Sequence, residues 1–207
     1  ISWVYDCPIN IRRTEALKNK CNTIYFFDRI QAQHYMENGV EGAKHLPLAA
    51  DIDTFRTALA KDDNYACDVA FVGKMYKSDY SYISNYQDVY TKGYLEGIVE
   101  TQQKLYGGYI IDDCINDNIM KHINENFANV SNGSYSVIKP EVTYALATEV
   151  TSRERFMALA LLQNRCNVNL YSTDVDERLN NVNNMGYIDY YSQMPKAFYN
   201  AKINLNI

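Results

Sequence analysis

"CDVAFVGKMY", residues 67–76, decides the fold. Apolar side chains stand at Cys67, Val69, Ala70, Phe71 and Val72, with Asp68 the only polar break. A strand covered on one face alternates, whereas a strand covered on both faces reads as a near-continuous apolar run, the mark of a parallel sheet between helices. The run ends at Gly73. Upstream, residues 1–55 read as β-loop-β-α-β. "SWVYD" is a strand closing on Asp6, and "TIYFFD" is a strand closing on Asp28. "RIQAQHYMENG" is a helix stopped by Gly39, and "AKHLPLA" is a short strand broken by Pro47. Between the two series, residues 56–66, "RTALAKDDNYA", lose apolar periodicity and collect charge, which predicts a linker with a short helical turn.

Downstream of the decisive strand, residues 78–129 read as mainly helical. Tyr82, Tyr86, Tyr90 and Tyr94 recur four apart, predicting one stripe down a helix. Gly107-Gly108 breaks the pattern, and Ile111, Ile115, Ile119 and Ile123 resume it. "SNGS" at 131–134 is a turn. "TSRERFMALALLQNR" predicts a helix capped at Thr151 or Ser152, with Glu154 in its first turn. "CNVNLYS" is a strand, "DVDERLNNVNNMG" a polar loop and "GYIDY" a short strand. "YSQMPKAFYNA" is a helix entered through Pro195, and "KINLNI" is a final strand. The expected fold class is α/β with Rossmann-like parallel sheets. Residues 67–207 form the first part of a doubly wound domain that carries a helical insertion at about 78–130. The chain opens on Ile1 in a strand and closes on a strand with no covering helix, which predicts a piece cut from a longer protein.

Composition narrows the function classes. The chain has 207 residues, 47% hydrophobic and 22% charged, with a formal net charge of −5. A core of useful size can be buried, and the acidic balance argues against a nonspecific nucleic-acid binder. Cysteines at 7, 21, 67, 114 and 166 are odd in number and contain no CxxC pair, so reduced thiols in a cytoplasm are expected. His34, His45 and His122 are scattered, and no metal site is expected from them. No apolar run approaches the ~20 residues of a membrane span. Nineteen tyrosines against one tryptophan suit half-buried surfaces and clefts.

Ligands of open parallel sheets bind beyond the carboxyl ends of strands. That rule selects Asp6, Asp28, Gly73 with Lys74, and the segment from Gly186 and Tyr187 to the helix start near Met194. At Gly73 no Cβ blocks a phosphate, and Lys74, helped by Lys77, can neutralise a diphosphate. The competing reading is a tight turn beside a solvated lysine. Asp6 and Asp28 can serve as a general base or orient a sugar hydroxyl, or else form an Asx-turn and a helix N-cap. Arg153, in the cluster Glu149, Arg153, Glu154 and Arg155, either helps an anion sit at a helix start or belongs to a solvated helix end. The tyrosine stripe is either a packing seam or a stacking surface.

Several strings stand together in order: "SWVYDCP", "YFFDR", "HLPLAADIDTF", "DVAFVGKMY" and "MGYIDYYSQMPKAFYNAKINLNI". They resemble the CgeB-like (spore maturation protein-like) family of bacterial glycosyltransferases of GT-B type, over roughly residues 1–75 and 151–207. The resemblance implies two Rossmann-like domains facing across a cleft. Residues 1–55 would end the acceptor-side domain, 56–66 would link, and 67–207 would begin the donor-binding domain. It implies transfer of a sugar from a nucleoside diphosphate sugar to an acceptor of undefined chemistry, without a metal or other cofactor. Gly73 and Lys74 would meet the donor diphosphate, and the backbone at Gly186, Tyr187 and Ile188 the nucleobase. Asp6 and Asp28 would line the cleft as the catalytic candidates. The glycine-rich segment and acidic residues that follow in this family are absent here, so this piece alone is expected to be inactive. The alternatives are a noncatalytic nucleotide- or sugar-binding module, or a protein-interaction domain on the tyrosine-lined helices.

Overall fold

The computed structural model describes residues 1–5, 13–55, 61–133, 135–174 and 176–207. In chain order the first elements are β1 (Ser2–Val4), β2 (Ile24–Phe26), α1 (Arg29–Glu37), β3 (Ala43–His45), α2 (Ile52–Phe55) and β4 (Cys67–Val72). The helices α3 (Tyr80–Asn85), α4 (Val89–Lys104), α5 (Ile111–Cys114), α6 (Asp117–Ser131) and α7 (Lys139–Leu162) follow. The chain continues with β5 (Val168–Tyr171), β6 (Asn183–Asn184), α8 (Met194–Asn200) and β7 (Ala201–Leu205). It divides into two compact units: Ile1–Ala49 with Asp79–Ala147, and Ala50–Ser78 with Thr148–Ile207. Of the expected linker, residues 56–60 lie outside the described residues, and 61–66 fall in the second unit.

The first unit carries a three-stranded parallel sheet in the order β1-β2-β3. Ile24 and Phe26 on β2 are buried with Ala32 of α1, Val40 and Ala43. The crossover from β2 through α1 to β3 is the βαβ unit read from the sequence, with α1 closed before Gly39. The same unit contains α3 to α6, and it corrects two expectations. The tyrosines at 82, 86, 90 and 94 do not lie on one helix. α3 ends at Tyr86, and Asp88 starts α4 by accepting the Thr91 amide at 2.7 Å. Likewise Asn116 starts α6 by accepting the Ile119 amide, so the isoleucine stripe spans α5 and α6. Ile111, Ile115, Ile119 and Ile123 are nevertheless all buried. The isoleucine periodicity reports burial, whereas Tyr82, Tyr86 and Tyr90 are exposed, and short polar caps set where each helix starts. Tyr82, Tyr86 and Tyr135 pack their rings around buried Phe127 and remain exposed on their other side.

α7 corrects a third expectation. It starts at Lys139, not at Thr151 or Ser152, and Pro140 stands in its first turn. Glu141 accepts the Ile138 amide at 3.0 Å, a reciprocal start of the capping-box kind. Arg153 is therefore a mid-helix residue, paired with Glu149 at 2.7 Å, and not at a helix N-terminus where an anion could sit. Residues of α7 up to 147 cluster with the first unit and those from 148 with the second.

The second unit is built on a four-stranded, all-parallel sheet in the order β6-β5-β4-β7. Numbered from β4 this is 3-2-1-4, the order of the first four strands of a doubly wound nucleotide-binding sheet. Alternate residues of β4 face opposite sides. Val69 and Phe71 join Leu159 of α7, Val168 and Leu170. Ala70 joins Tyr171, Ile188 and Ala197 of α8 on the other side. The sheet is thus covered on both faces, as its apolar run requires. Leu159 is fully buried, and truncating such a leucine to alanine costs about 2–5 kcal/mol. "GYIDY" is not a strand; the edge strand is Asn183–Asn184, just before it. Gly186 has φ +72, which extended pairing excludes, and Ile188 turns into the core beneath α8. Among the described residues no helix is long and apolar enough to cross a membrane.

Candidate functional site

The carboxyl ends of β4, β5, β6 and β7 form one edge of the second sheet. The strand order reverses between β4 and β7, which makes that junction the topological switch point where doubly wound sheets take ligands. Gly73 follows β4 there, and its amide donates to the Tyr171 carbonyl at 3.1 Å. A Cβ at this glycine would stand 3.2 Å from Phe71 Cζ and 3.7 Å from Arg155 Nη1, so the backbone lies close against its own support. Lys74 comes next and is exposed. Its ammonium has no hydrogen bond or ion pair among the described residues. Lys77, also exposed, lies three residues further along the same loop.

The loop from Gly73 to Ser78 is held by its backbone rather than by its charges. Arg155 Nη1 donates to the Lys74 carbonyl, and Arg155 Nε and Nη2 donate to the Ile207 carbonyl at 3.1 and 2.8 Å. One guanidinium therefore ties the end of β4 to the end of β7 across the switch point. Its carbon lies 5.3 Å from the Phe71 ring centroid and 4.8 Å from that of Tyr76, within cation–π reach of both. The Met75 amide donates to the Asp174 carboxylate, beyond β5, at 2.9 Å. Ser152 Oγ donates to the Tyr76 carbonyl at 3.0 Å, and Ser78 Oγ donates to Glu149. These ties follow successive turns of α7.

Of the residues expected from the sequence, Gly73 and Lys74 stand at the switch point. Gly186, Tyr187 and Ile188 stand on the same sheet edge beyond β6, two strands from β4 and so about 10 Å away. The Gly186 amide donates to Asn184 Oδ1 at 3.0 Å. Tyr187 is exposed, whereas the Ile188 side chain belongs to the core. Asp6 lies outside the described residues. Asp28, in the first unit, accepts the Gln31 amide at 2.6 Å and caps α1, the local structural role weighed against catalysis. Sequence reasoning missed three residues of the site: Arg155, Asp174 and Tyr76. Read from Thr151 or Ser152, the helix puts Arg155 in a solvated first turn, whereas α7 begins twelve residues before Thr151, at Lys139. Pro140 and Glu141 were the available signal for the true start.

Electrostatics separate functional from supporting charges. Burial pushes the Glu154 carboxyl above its ordinary range. The hydrogen bond from Arg178 holds Asp176 below its ordinary range, and the Arg178 guanidinium in turn covers the Phe156 ring at 3.9 Å. The "DVD" residues Asp174 and Asp176 are thus engaged with the protein. A cavity of about 750 Å³ opens at the opposite, amino-terminal edge of this sheet, lined by Lys61, Asp68, Asn167, Tyr199 and Lys202. The Lys202–Asp68 pair occupies it at 2.7 Å, and parallel sheets seldom do chemistry on that side. We therefore place the candidate site at the carboxyl edge and not at this cavity. Among the described residues no cluster of three or more histidine, cysteine, aspartate or glutamate side chains could hold a metal. No protein-family model, curated protein or solved structure matches the chain.

Proposed function

We propose that the carboxyl edge of the second sheet binds the diphosphate of a nucleoside diphosphate sugar, and that the chain serves glycosyl transfer of the GT-B kind to an acceptor. One observation carries the reading: an unengaged lysine, Lys74, follows the first strand of a 3-2-1-4 parallel sheet at its switch point. The chemistry calls for such a group. As the bond between the sugar carbon and the β-phosphate oxygen breaks, negative charge grows on the leaving diphosphate. A preorganised cation there lowers the barrier. Lys77 adds a second positive charge on the same loop, while Gly73 turns the side where a Cβ would stand against Phe71 and Arg155. The backbone at Gly186–Ile188 lies at a distance from β4 that suits a nucleobase when the diphosphate is at Lys74. Asp28 already accepts the Gln31 amide as the cap of α1, so the proposal rests on the donor edge and not on a general base.

A nucleotide-binding module without turnover would use the same edge. The two readings separate in a two-stage experiment on the 207-residue chain. UDP, GDP and TDP are first screened by thermal shift, with one of them expected to raise Tm in proportion to the logarithm of its concentration. The matching sugar conjugate is then assayed for released diphosphate. Binding with release supports transfer chemistry, binding without release supports the module, and no shift with any nucleotide removes the donor-site reading.

A further inference from the structure

Tyr76 sits where a bulky residue is disfavoured. Its φ is +59, and among the described residues only Asn132, an asparagine at a helix end, shares a positive φ without being glycine. For a side chain with a Cβ the left-handed region is strained, and such strain persists only where the surroundings impose it. Here they do: Ser152 Oγ holds the Tyr76 carbonyl, Asp174 holds the preceding amide, and the Arg155 guanidinium lies against the ring. Glycine would satisfy the turn alone, so the ring itself needs a reason. The ring remains 37% exposed and stands two residues from Lys74, on the stretch of loop leading away from the strand. Gly186–Ile188 lies beyond β6 on the same sheet edge, two strands from β4.

Resting on the donor-site reading above, we propose that Tyr76 is a specificity-determining residue. With the diphosphate at Lys74, the group attached to the β-phosphate lies within reach of the ring two residues further along the same loop. The ring offers the apolar face of a hexose a flat surface, already oriented by Arg155. Tyr76 then discriminates the sugar conjugate from the bare diphosphate.

The test is calorimetric titration of the wild-type chain, Tyr76→Phe and Tyr76→Ala with the nucleoside diphosphate found by the screen and with its glucose conjugate. Tyr76→Ala is expected to weaken the conjugate about five- to tenfold and to leave the diphosphate within about twofold. Tyr76→Phe is expected to keep both affinities. Tyr76→Leu replaces the alanine variant if the latter fails to fold, as judged by its melting curve. Equal losses for conjugate and diphosphate, or no loss for either, would overturn the inference and leave the donor site standing. Failure of the wild-type chain to bind either compound would overturn both.

Discussion

The two parallel sheets end in opposite ways. After β2 comes Asp28, whose carboxylate takes the Gln31 amide at 2.6 Å and opens α1 at the next residue. After β4 comes a loop of seven residues before α3, and Lys74 within it is fixed by its carbonyl while its ammonium stays open. The first unit turns directly from strand to helix, so the orphan amides of α1 claim the nearest acceptor. After β4 the helix is delayed, and Arg155, Ser152 and Asp174 hold the loop from outside. A charged residue at a strand's carboxyl end is therefore left open to solvent only where something else shapes the turn. Asp28 and Lys74 occupy equivalent sequence positions and do different work for this reason.

The largest effect that would sharpen this contrast is expected at Arg155. Arg155→Met removes three donated hydrogen bonds and two ring contacts, and should lower stability by about 2–3 kcal/mol. Denaturant midpoints read the loss, and hydrogen exchange should localise it to residues 73–78. A change under about 0.5 kcal/mol would mean that the loop is not held by this clamp. Next in size is Asp28→Ala, which should cost about 1 kcal/mol as a lost N-cap and leave nucleotide affinity unaltered. An affinity loss without a stability loss at Asp28 would reverse the comparison. The smallest effect is at Glu154. Burial raises its carboxyl above the ordinary 4.5, so the folded state holds the proton more tightly than the unfolded chain. That contribution is fully present below 4.5 and is lost as pH rises through the raised value. Glu154→Gln should therefore gain stability over the wild type at about pH 7 and match it at about pH 4. A gain of equal size at both would exclude titration of Glu154 as the cause.

The second sheet was legible because burial on two faces leaves a plain mark on its central strand. The apolar run of β4 forecast its central position, and the isoleucines at 111, 115, 119 and 123 are all in the core. Helix boundaries were less legible. Asp88 and Asn116 cap new helices inside patterns that continue undisturbed, because a one-residue cap scarcely alters the spacing of buried side chains. Thr151 and Ser152 resemble a helix start, yet Ser152 reaches out of the helix to the Tyr76 carbonyl. At the candidate site, the place of Gly73 and Lys74 at the carboxyl end of β4 was legible because they follow their strand directly. Arg155 reaches Lys74 across 81 positions, and Asp174 reaches Met75 across 99. Contacts of that separation leave no local pattern, and the strain at Tyr76 is a property of φ that its neighbours in sequence do not reveal.

The central claim is that Lys74 meets a nucleoside diphosphate at the switch point, and calorimetry on the Lys74→Ala variant tests it most directly. The substitution removes an exposed, unengaged side chain, so stability should stay within about 0.5 kcal/mol of the wild type. The affinity for the nucleoside diphosphate that stabilises the wild-type chain should fall about tenfold, the loss of one charge-assisted contact. Unchanged affinity in a variant of unchanged stability would contradict the account and leave Lys74 a solvated lysine beside a tight turn.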